Sequence, residues 1–276
     1  MVNITAAEVN KLRQMTGAGM MDCKKALIES GGDYELAIDI LRKKGQKVAS
    51  KRADREANEG IVLAKSTKDQ KFAALIMLNC ETDFVAKNDE FTGFARKIME
   101  TALAEQPRSI DELKQLIVDG LTIESGITNM VGKTGEKMQL GGYEWIESER
   151  VFSYNHMGNK LATIVGLNKA EGTDEVGPQL AMQVAAMSPV AIDKDDVPQK
   201  VVDKEIEIGK EQAREEGKPE EMLEKIALGK LNRFFKENTL LNQDFVRDTK
   251  KTVGQYLKEV DSQIKVTGFS RLKLGD

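Results

Sequence analysis

The segment Gly126-Ile127-Thr128-Asn129-Met130-Val131-Gly132-Lys133-Thr134 sets glycine, lysine and threonine in the order of a phosphate-binding loop. That loop needs four residues between its glycines so that successive amides close around the phosphates, and five stand here. It also needs a preceding strand, whereas Ile110 to Ile123 reads as helix. Thr16-Gly17-Ala18-Gly19 fails as a dinucleotide fingerprint, because a helix precedes it and no βαβ unit surrounds it. Cys23 and Cys80 lie too far apart in sequence for a metal site of clustered ligands or for a disulfide framework, and read as reduced structural thiols. His156, the sole histidine, sits in Tyr154-Asn155-His156-Met157-Gly158 and reads as a surface or hydrogen-bonded turn residue. The 45 acidic residues produce many neighbouring carboxylates, such as Glu205-Ile206-Glu207, but on charged helices and beside no nucleophile. The sequence therefore predicts no catalytic residue, no metal and no cofactor; the chain does not read as an enzyme.

These residues need elements to position them. Thr5 followed by Glu8 is a capping-box pattern, and Val9, Leu12 and Met15 continue it as an apolar stripe that stops at Gly17. A second helix runs from about Met20 to Gly31-Gly32, and Asp33 caps a third carrying Leu36, Ala37, Ile40 and Leu41. Three helices over residues 3 to 44 predict a compact bundle, marginal on its own. Further on, Phe72 to Leu78 reads as a buried strand and Phe91 to Ala102 as an amphipathic helix. The stretch 71–79 can be laid on 160–168, matching at Lys, Ala, Leu and Asn. Each copy follows another strand (Ile61 to Ala64, Val151 to Tyr154) and precedes a helix (Phe91 to Leu103, Val176 to Met187), which predicts a duplicated α+β unit. Val197 to Glu215 and Glu220 to Glu237, joined by Glu216-Gly217-Lys218-Pro219, predict an inserted antiparallel helical hairpin, with Gly217 in a left-handed helix stop and Pro219 opening the return helix. Its seam is read as Val201, Val202, Ile206 and Ile208 against Leu223, Ile226, Ala227, Leu231 and Phe234.

No run of the 276 residues approaches eighteen apolar positions, and Met1-Val2-Asn3-Ile4-Thr5 lacks a secretory layout, so a cytoplasmic protein with no membrane partner is expected. A net charge of −4 and a pI near 5.4 argue against an extended nucleic-acid surface. The locally basic Lys43 to Arg55 stretch reads as a solvated helical linker, with an RNA- or ribosome-binding arm as its rival. That leaves contact surfaces. Met20 and Met21 open a helix beside Lys24; on pattern, one Met belongs in the bundle core and the other is half exposed. Phe84 stands at the strand-to-helix corner Asn79-Cys80-Glu81-Thr82-Asp83-Phe84-Val85-Ala86-Lys87-Asn88, where it either plugs its own core or inserts into a partner.

Two segments carry a resemblance across the chain: Leu12-Arg13-Gln14-Met15-Thr16-Gly17-Ala18-Gly19-Met20-Met21-Asp22-Cys23-Lys24-Lys25-Ala26-Leu27 and the stretch from Asn79 to Asn88. Ser153-Tyr154-Asn155-His156, Lys251-Thr252-Val253-Gly254-Gln255 and Val266-Thr267-Gly268-Phe269 support it in the same order. The chain resembles the elongation factor Ts family, the nucleotide exchange factors of bacterial translation. The resemblance implies an N-terminal module like a ubiquitin-associated domain with its linker over 1–54, and a pseudo-duplicated core with halves at 55–140 and 141–276. It places a coiled-coil hairpin at about 196–238. It implies elongation factor Tu as partner, GDP-bound and nucleotide-free, with Thr82, Asp83, Phe84 and Val85 disturbing the partner's magnesium and nucleotide site. Met20, Met21 and Lys24 are expected to touch the same partner domain, no direct nucleic acid contact is expected, and the hairpin is a candidate for dimerisation. Longer family members carry a further C-terminal helix, whose contact is not carried over.

Overall fold

The computed structural model describes residues 4–276, so Met1 to Asn3, where the predicted module begins, lie outside the described residues. Three helices come first: α1 (Ala6–Thr16), α2 (Met20–Glu29) and α3 (Tyr34–Lys51). The capping box forms as expected, with Glu8 N donating to the Thr5 hydroxyl at 3.3 Å and Thr5 N donating to the Glu8 carboxylate at 2.7 Å. Gly17 ends α1 at φ 67°, a conformation that costs glycine nothing. Val9, Leu12, Ala18, Cys23, Ala26, Leu27 and Ala37 form the buried cluster of this bundle. Leu36, expected in its stripe, faces solvent instead. The basic stretch is helical through Lys51 but not simply solvated, because α3 presses on a later helix through Gly45.

Two three-stranded antiparallel sheets follow. The first has β1 (Glu59–Ser66), β2 (Phe72–Cys80) and β5 (Met138–Glu147) in the order β1-β2-β5; the second has β6 (Arg150–Asn155), β7 (Leu161–Leu167) and β10 (Val266–Lys273) in the order β10-β7-β6. Strand side chains alternate between faces, and both central strands are buried on both. In β2, Phe72, Ala74, Ile76, Leu78 and Cys80 face a cluster with Phe91, Ile98, Leu113, Ile123 and Met130. Ala73 and Leu75 face the other way, against Val62, Ala64, Val151, Ala162 and Ile164. In β7, Ala162 and Ile164 share that inter-sheet layer, while Val165 and Leu167 meet Leu180, Val184, Val253 and Leu257. The layers thus run helices, sheet, sheet, helices. This double burial is why β2 reads as a continuous apolar run.

Between β2 and β5 lie the single turn α4 (Asp83–Ala86), then α5 (Asp89–Glu105), α6 (Ile110–Gln115), the small pair β3 (Ile117–Val118) and β4 (Leu121–Thr122), and α7 (Ile123–Thr134). The single helix predicted over 110–123 is therefore broken. Asp119 (φ 52°) and Gly120 (φ 80°) form the two-residue turn joining β3 to β4, a dipeptide suited to a tight hairpin. The phosphate-loop candidate from Gly126 to Thr134 is wound into α7, so its amides bond within the helix. Gly45 of α3 and Gly132 of α7 meet at the crossing: a Cβ on Gly132 would lie 3.1 Å from Gly45 Cα.

After β7 come α8 (Val176–Met187), α9 (Gln199–Glu215), α10 (Glu220–Asn238), the pair β8 (Asp244–Phe245) and β9 (Asp248–Thr252), and α11 (Val253–Asp261). The outward arm of the hairpin starts at Gln199, two residues later than predicted, after a 3-10 turn at Lys194–Asp196. Gly217 adopts φ 72° as expected, whereas Pro219 occupies the N-cap of α10 rather than its first helical position. The buried seam is built on small residues, Gly209 and Ala213 of α9 against Leu223, Ala227 and Leu231 of α10; the outward arm's Val201, Val202, Ile206 and Ile208 are half-buried. Where α9 and α10 press closest, a Cβ on Gly209 would lie 3.1 Å from Ala227 Cα.

Candidate partner-binding site

The corner after β2 is made by a short capped turn. The Thr82 hydroxyl accepts from Val85 N at 3.4 Å, and Ala86 N donates to Thr82 O at 3.1 Å, closing α4. Asn88 then caps α5, its side chain accepting from Glu90 N at 2.8 Å. In this turn Val85 and Ala86 pack inward on the first-sheet cluster, and Phe84 points out with 83% of its surface exposed. The plug reading is thereby overturned. The inward positions of the turn are taken by Val85 and Ala86, which pack on the cluster that contains Phe91, while Phe94 packs toward α7.

Asp83 accepts from Lys87 at 2.6 Å, one helical turn away, which holds the Asp83 carboxyl below its usual range. Below the turn, the Thr82 hydroxyl donates to Glu136 Oε1 at 2.8 Å and Thr82 N donates to Glu136 Oε2 at 3.1 Å. Glu81 accepts from Lys137 N at 2.5 Å and, with both oxygens, from Arg52 Nη1 at 2.8 Å. The Lys137 amide first, and Arg52 after it, lower the Glu81 carboxyl. The Lys137 amine donates to Ala53 O at 2.7 Å and Arg55 O at 2.9 Å. Beneath all of these, Cys80 Sγ donates to Thr82 O at 3.2 Å. Burial, and then the carboxylates of Glu136 and Glu59, push its thiol up to about 12. Cys80 is an inert structural thiol of this corner, and Cys23 is likewise free and buried.

Met20 and Met21 are both exposed, at 55% and 62%, and Lys24 is exposed beside them. The expectation of one Met in the bundle core fails because Cys23, Ala26 and Leu27 occupy the inward face of α2. With exposed Met15 and Ile28 they leave flexible apolar groups on the surface of α1 and α2. A chain of contacts links this module to the corner. The Lys133 side chain lies over Gly17, within 2.5 Å of where a Cβ would stand, and pairs with Glu90 in the first turn of α5. A cleft of about 690 Å³ separates the bundle from the first half, lined by Met15, Ile38, Leu41, Phe94, Leu121 and Met130 among others.

In the second half, the only histidine accepts from or donates to Tyr154 through Nδ1 at 2.9 Å on an exposed turn, while the neighbouring Asn155 side chain bonds both N and O of Ala64 at 2.8 Å. Those last bonds stitch the two sheets together. Sequence reasoning singled out the apolar tip and missed its supports, Arg52, Glu81, Glu136 and Lys137. Glu81 lay inside the quoted motif, but its partners are far away in the chain and leave no local signal.

Among the described residues, no group of three or more His, Cys, Asp or Glu is placed to hold a metal, and no helix is long and apolar enough to cross a membrane. A family model described as elongation factor TS matches residues 81–276. The elongation factor Ts of Amoebophilus asiaticus is 54% identical over 274 residues, covering 99% of each chain. Those of Christiangramia forsetii and Cytophaga hutchinsonii are 50% identical over 276 residues, covering all of both chains, and 53% identical over 277, covering 99% of this chain and 100% of the relative. The specific segments from Leu12 to Leu27 and Asn79 to Asn88, a fold of mixed helices and antiparallel sheets, and relatives matching end to end agree: the chain belongs to the elongation factor Ts family of translation elongation factors.

Proposed function

We propose that the chain is a guanine nucleotide exchange factor that binds elongation factor Tu with GDP and promotes GDP release by disturbing the partner's magnesium and nucleotide site. The observation that carries this reading is Phe84, a large apolar side chain left outside on a braced turn. Thr82 and Val85 hold the turn, Asp83 and Lys87 flank it, and Phe84 is the inserting group. No bond in the nucleotide is made or broken by the factor, so it needs no catalytic residue and no cofactor. An exchange factor works by binding the nucleotide-poor state of its partner better than the filled state, and by linkage the nucleotide weakens the factor equally.

Magnitudes decide how much of the surface must take part. Lowering nucleotide affinity a thousandfold takes about 4 kcal/mol. Burying Phe84 contributes at most about 3 kcal/mol before ordering costs. Contacts beyond Phe84 are needed, and the exposed Met20 and Met21 with Lys24 are the apolar and charged groups of the N-terminal module suited to supply them. In this reading 1–54 is a ubiquitin-associated-like module with its linker. The core halves 55–140 and 141–276 arose by duplication, as their shared strand order supports, and the coiled-coil hairpin at about 196–238 is a candidate either for dimerisation or for a contact with the partner. The rival RNA-binding reading of residues 43–55 is disfavoured because Lys44 pairs with Asp22 and Arg52 with Glu81, which spends part of the basic charge internally.

The test is stopped-flow release of labelled GDP from elongation factor Tu with and without the chain. Acceleration that saturates with the chain supports the proposal; unchanged release sinks it. Titration with tRNA at rising salt separates the rival, whose binding would fall steeply.

A further inference from the structure

Three segments distant in sequence converge beneath the exposed turn. The last residues of α3 and the chain after it bring Arg52, Ala53 O and Arg55 O; the end of β2 brings Glu81 and Thr82; the chain leading into β5 brings Glu136 and Lys137. The two carboxylates are arranged alternately. Glu136 takes both donors of Thr82, at 2.8 and 3.1 Å, while Glu81 takes the Lys137 amide at 2.5 Å and Arg52 at 2.8 Å. Lys137 returns to the α3 end through its amine, at 2.7 and 2.9 Å. Hydrogen bonds to charged groups are shorter and stronger than neutral ones, and Glu81 is largely shielded, its side chain 16% exposed.

Such a knot fixes more than the turn. The Thr82 hydroxyl both donates to Glu136 and accepts from Val85 N, so the orientation of α4 follows from the position of Glu136. Arg52 stands at the C-cap of α3, the helix that carries the N-terminal module. An apolar wedge works only if it is held before it meets its pocket, because a turn that must first be ordered spends binding energy on that ordering. Phe84 is itself 83% exposed, so its placement follows from the turn, which Val85 and Ala86 anchor on the core and the polar bonds below orient.

We propose that Glu81 and Glu136, together with Arg52, are positioning residues that hold the Thr82–Val85 turn as a preformed wedge and lock it to the end of the N-terminal module. This rests on the exchange reading. It assigns a role in exchange to three residues that lie behind the turn rather than at its exposed tip.

The experiment is a double-mutant cycle read by GDP release from elongation factor Tu at saturating factor, using full-length chains. Glu81→Gln places an amide NH2 against Arg52 or the Lys137 amide, which only donate, and Glu136→Gln removes the charge that both Thr82 donors share. Each is expected to lower the maximal release rate about tenfold, the loss of one charge-assisted bond, with the half-saturating concentration little changed. Deuterium uptake is expected to rise in 80–90 and stay constant in β7 and α8. Adding either substitution to Phe84→Ala is expected to cost little beyond Phe84→Ala itself, because a wedge that is absent no longer needs holding. Full-rate release by both variants overturns the proposal, as do strictly additive effects with Phe84→Ala. If one variant unfolds, the other carries the test; global deuterium uptake in both, with rates falling in step with the folded fraction, shows a merely structural role and overturns it too. A wild-type chain that accelerates nothing overturns the exchange reading itself, and is distinguished by needing no variant.

Discussion

The two central strands each end in a corner that leads to a helix, and the corners differ in two respects. After β7, the stretch Asn168-Lys169-Ala170-Glu171-Gly172-Thr173-Asp174-Glu175 leads to α8 with no large apolar side chain. It is tied to the segment before β10: the Asn168 side chain donates to Gln263 O at 3.0 Å and accepts from Lys265 N at 2.7 Å, and Lys169 meets Asp261 at 2.6 Å. After β2, the corner is tied in the matching place, to Glu136 and Lys137 before β5. Bracing against the approach to the third strand is thus common to both halves. Only the first carries an exposed aromatic, and only the first is tied also to the N-terminal module. The scaffold offers two braced corners, and an exposed aromatic stands on one.

The largest expected effect breaks the first corner. Phe84→Ala should lower maximal GDP release by about ten- to a hundredfold, from about 1.5–3 kcal/mol of lost burial in the partner. Because the side chain lies outside its own core, the melting temperature should stay put; loss of folding in this variant would restore the plug reading. A second contrast is alkaline. The Cys80 thiol, normally 9.0, is pushed up to about 12, and burial also raises the Tyr143 phenol. Their contribution to stability is complete below about pH 9 and is lost as pH rises toward 12, because the unfolded chain releases these protons first. Denaturant unfolding between pH 8 and 11 should show this loss, reduced in Cys80→Ala relative to its own value at pH 8.

Smaller effects sharpen the contrast. Met21→Ala should weaken binding to nucleotide-free elongation factor Tu by up to about tenfold, as truncation of a peripheral apolar contact does, with the circular dichroism spectrum unchanged; equal affinity measured by titration calorimetry would remove the N-terminal module from the interface. The smallest effect belongs to the second corner. Lys169→Ala breaks a partly exposed ion pair worth about 0–1 kcal/mol. It should shift thermal unfolding slightly and leave exchange intact; a large loss of exchange would show that both corners act on the partner.

Helices with caps inside the sequence were legible in it, as Thr5 with Glu8 and Asp33 demonstrate, because a cap is satisfied by residues three apart. The β2 strand was legible as an unbroken apolar run, since both its faces are buried. Its neighbour β5 was not: Gly141 and Gly142 interrupt it, and the register slips there between Met77 and Leu78. On β10 the residues are mostly half-exposed, so no alternation announces the strand. Asp119-Gly120 was a readable hairpin signal, overlooked because the flanking strands are two residues each.

At the candidate site, local residue types alone specify the turn: a threonine that caps, an aromatic with nothing local to cover it, and an asparagine that starts the next helix. The sequence by itself also determined the family, through segments specific enough to be read in order. Tertiary structure alone decided that Phe84 faces outward, since only the packing of Val85 and Ala86 on the cluster with Phe91 shows which side of the turn is inside. It alone joined Glu81 to Arg52 and Thr82 to Glu136, contacts separated by 29 and 54 residues. Short-range patterns record what a residue asks of its neighbours within a turn. Which distant carboxylate answers is set by how two sheets and a helical module close on one another.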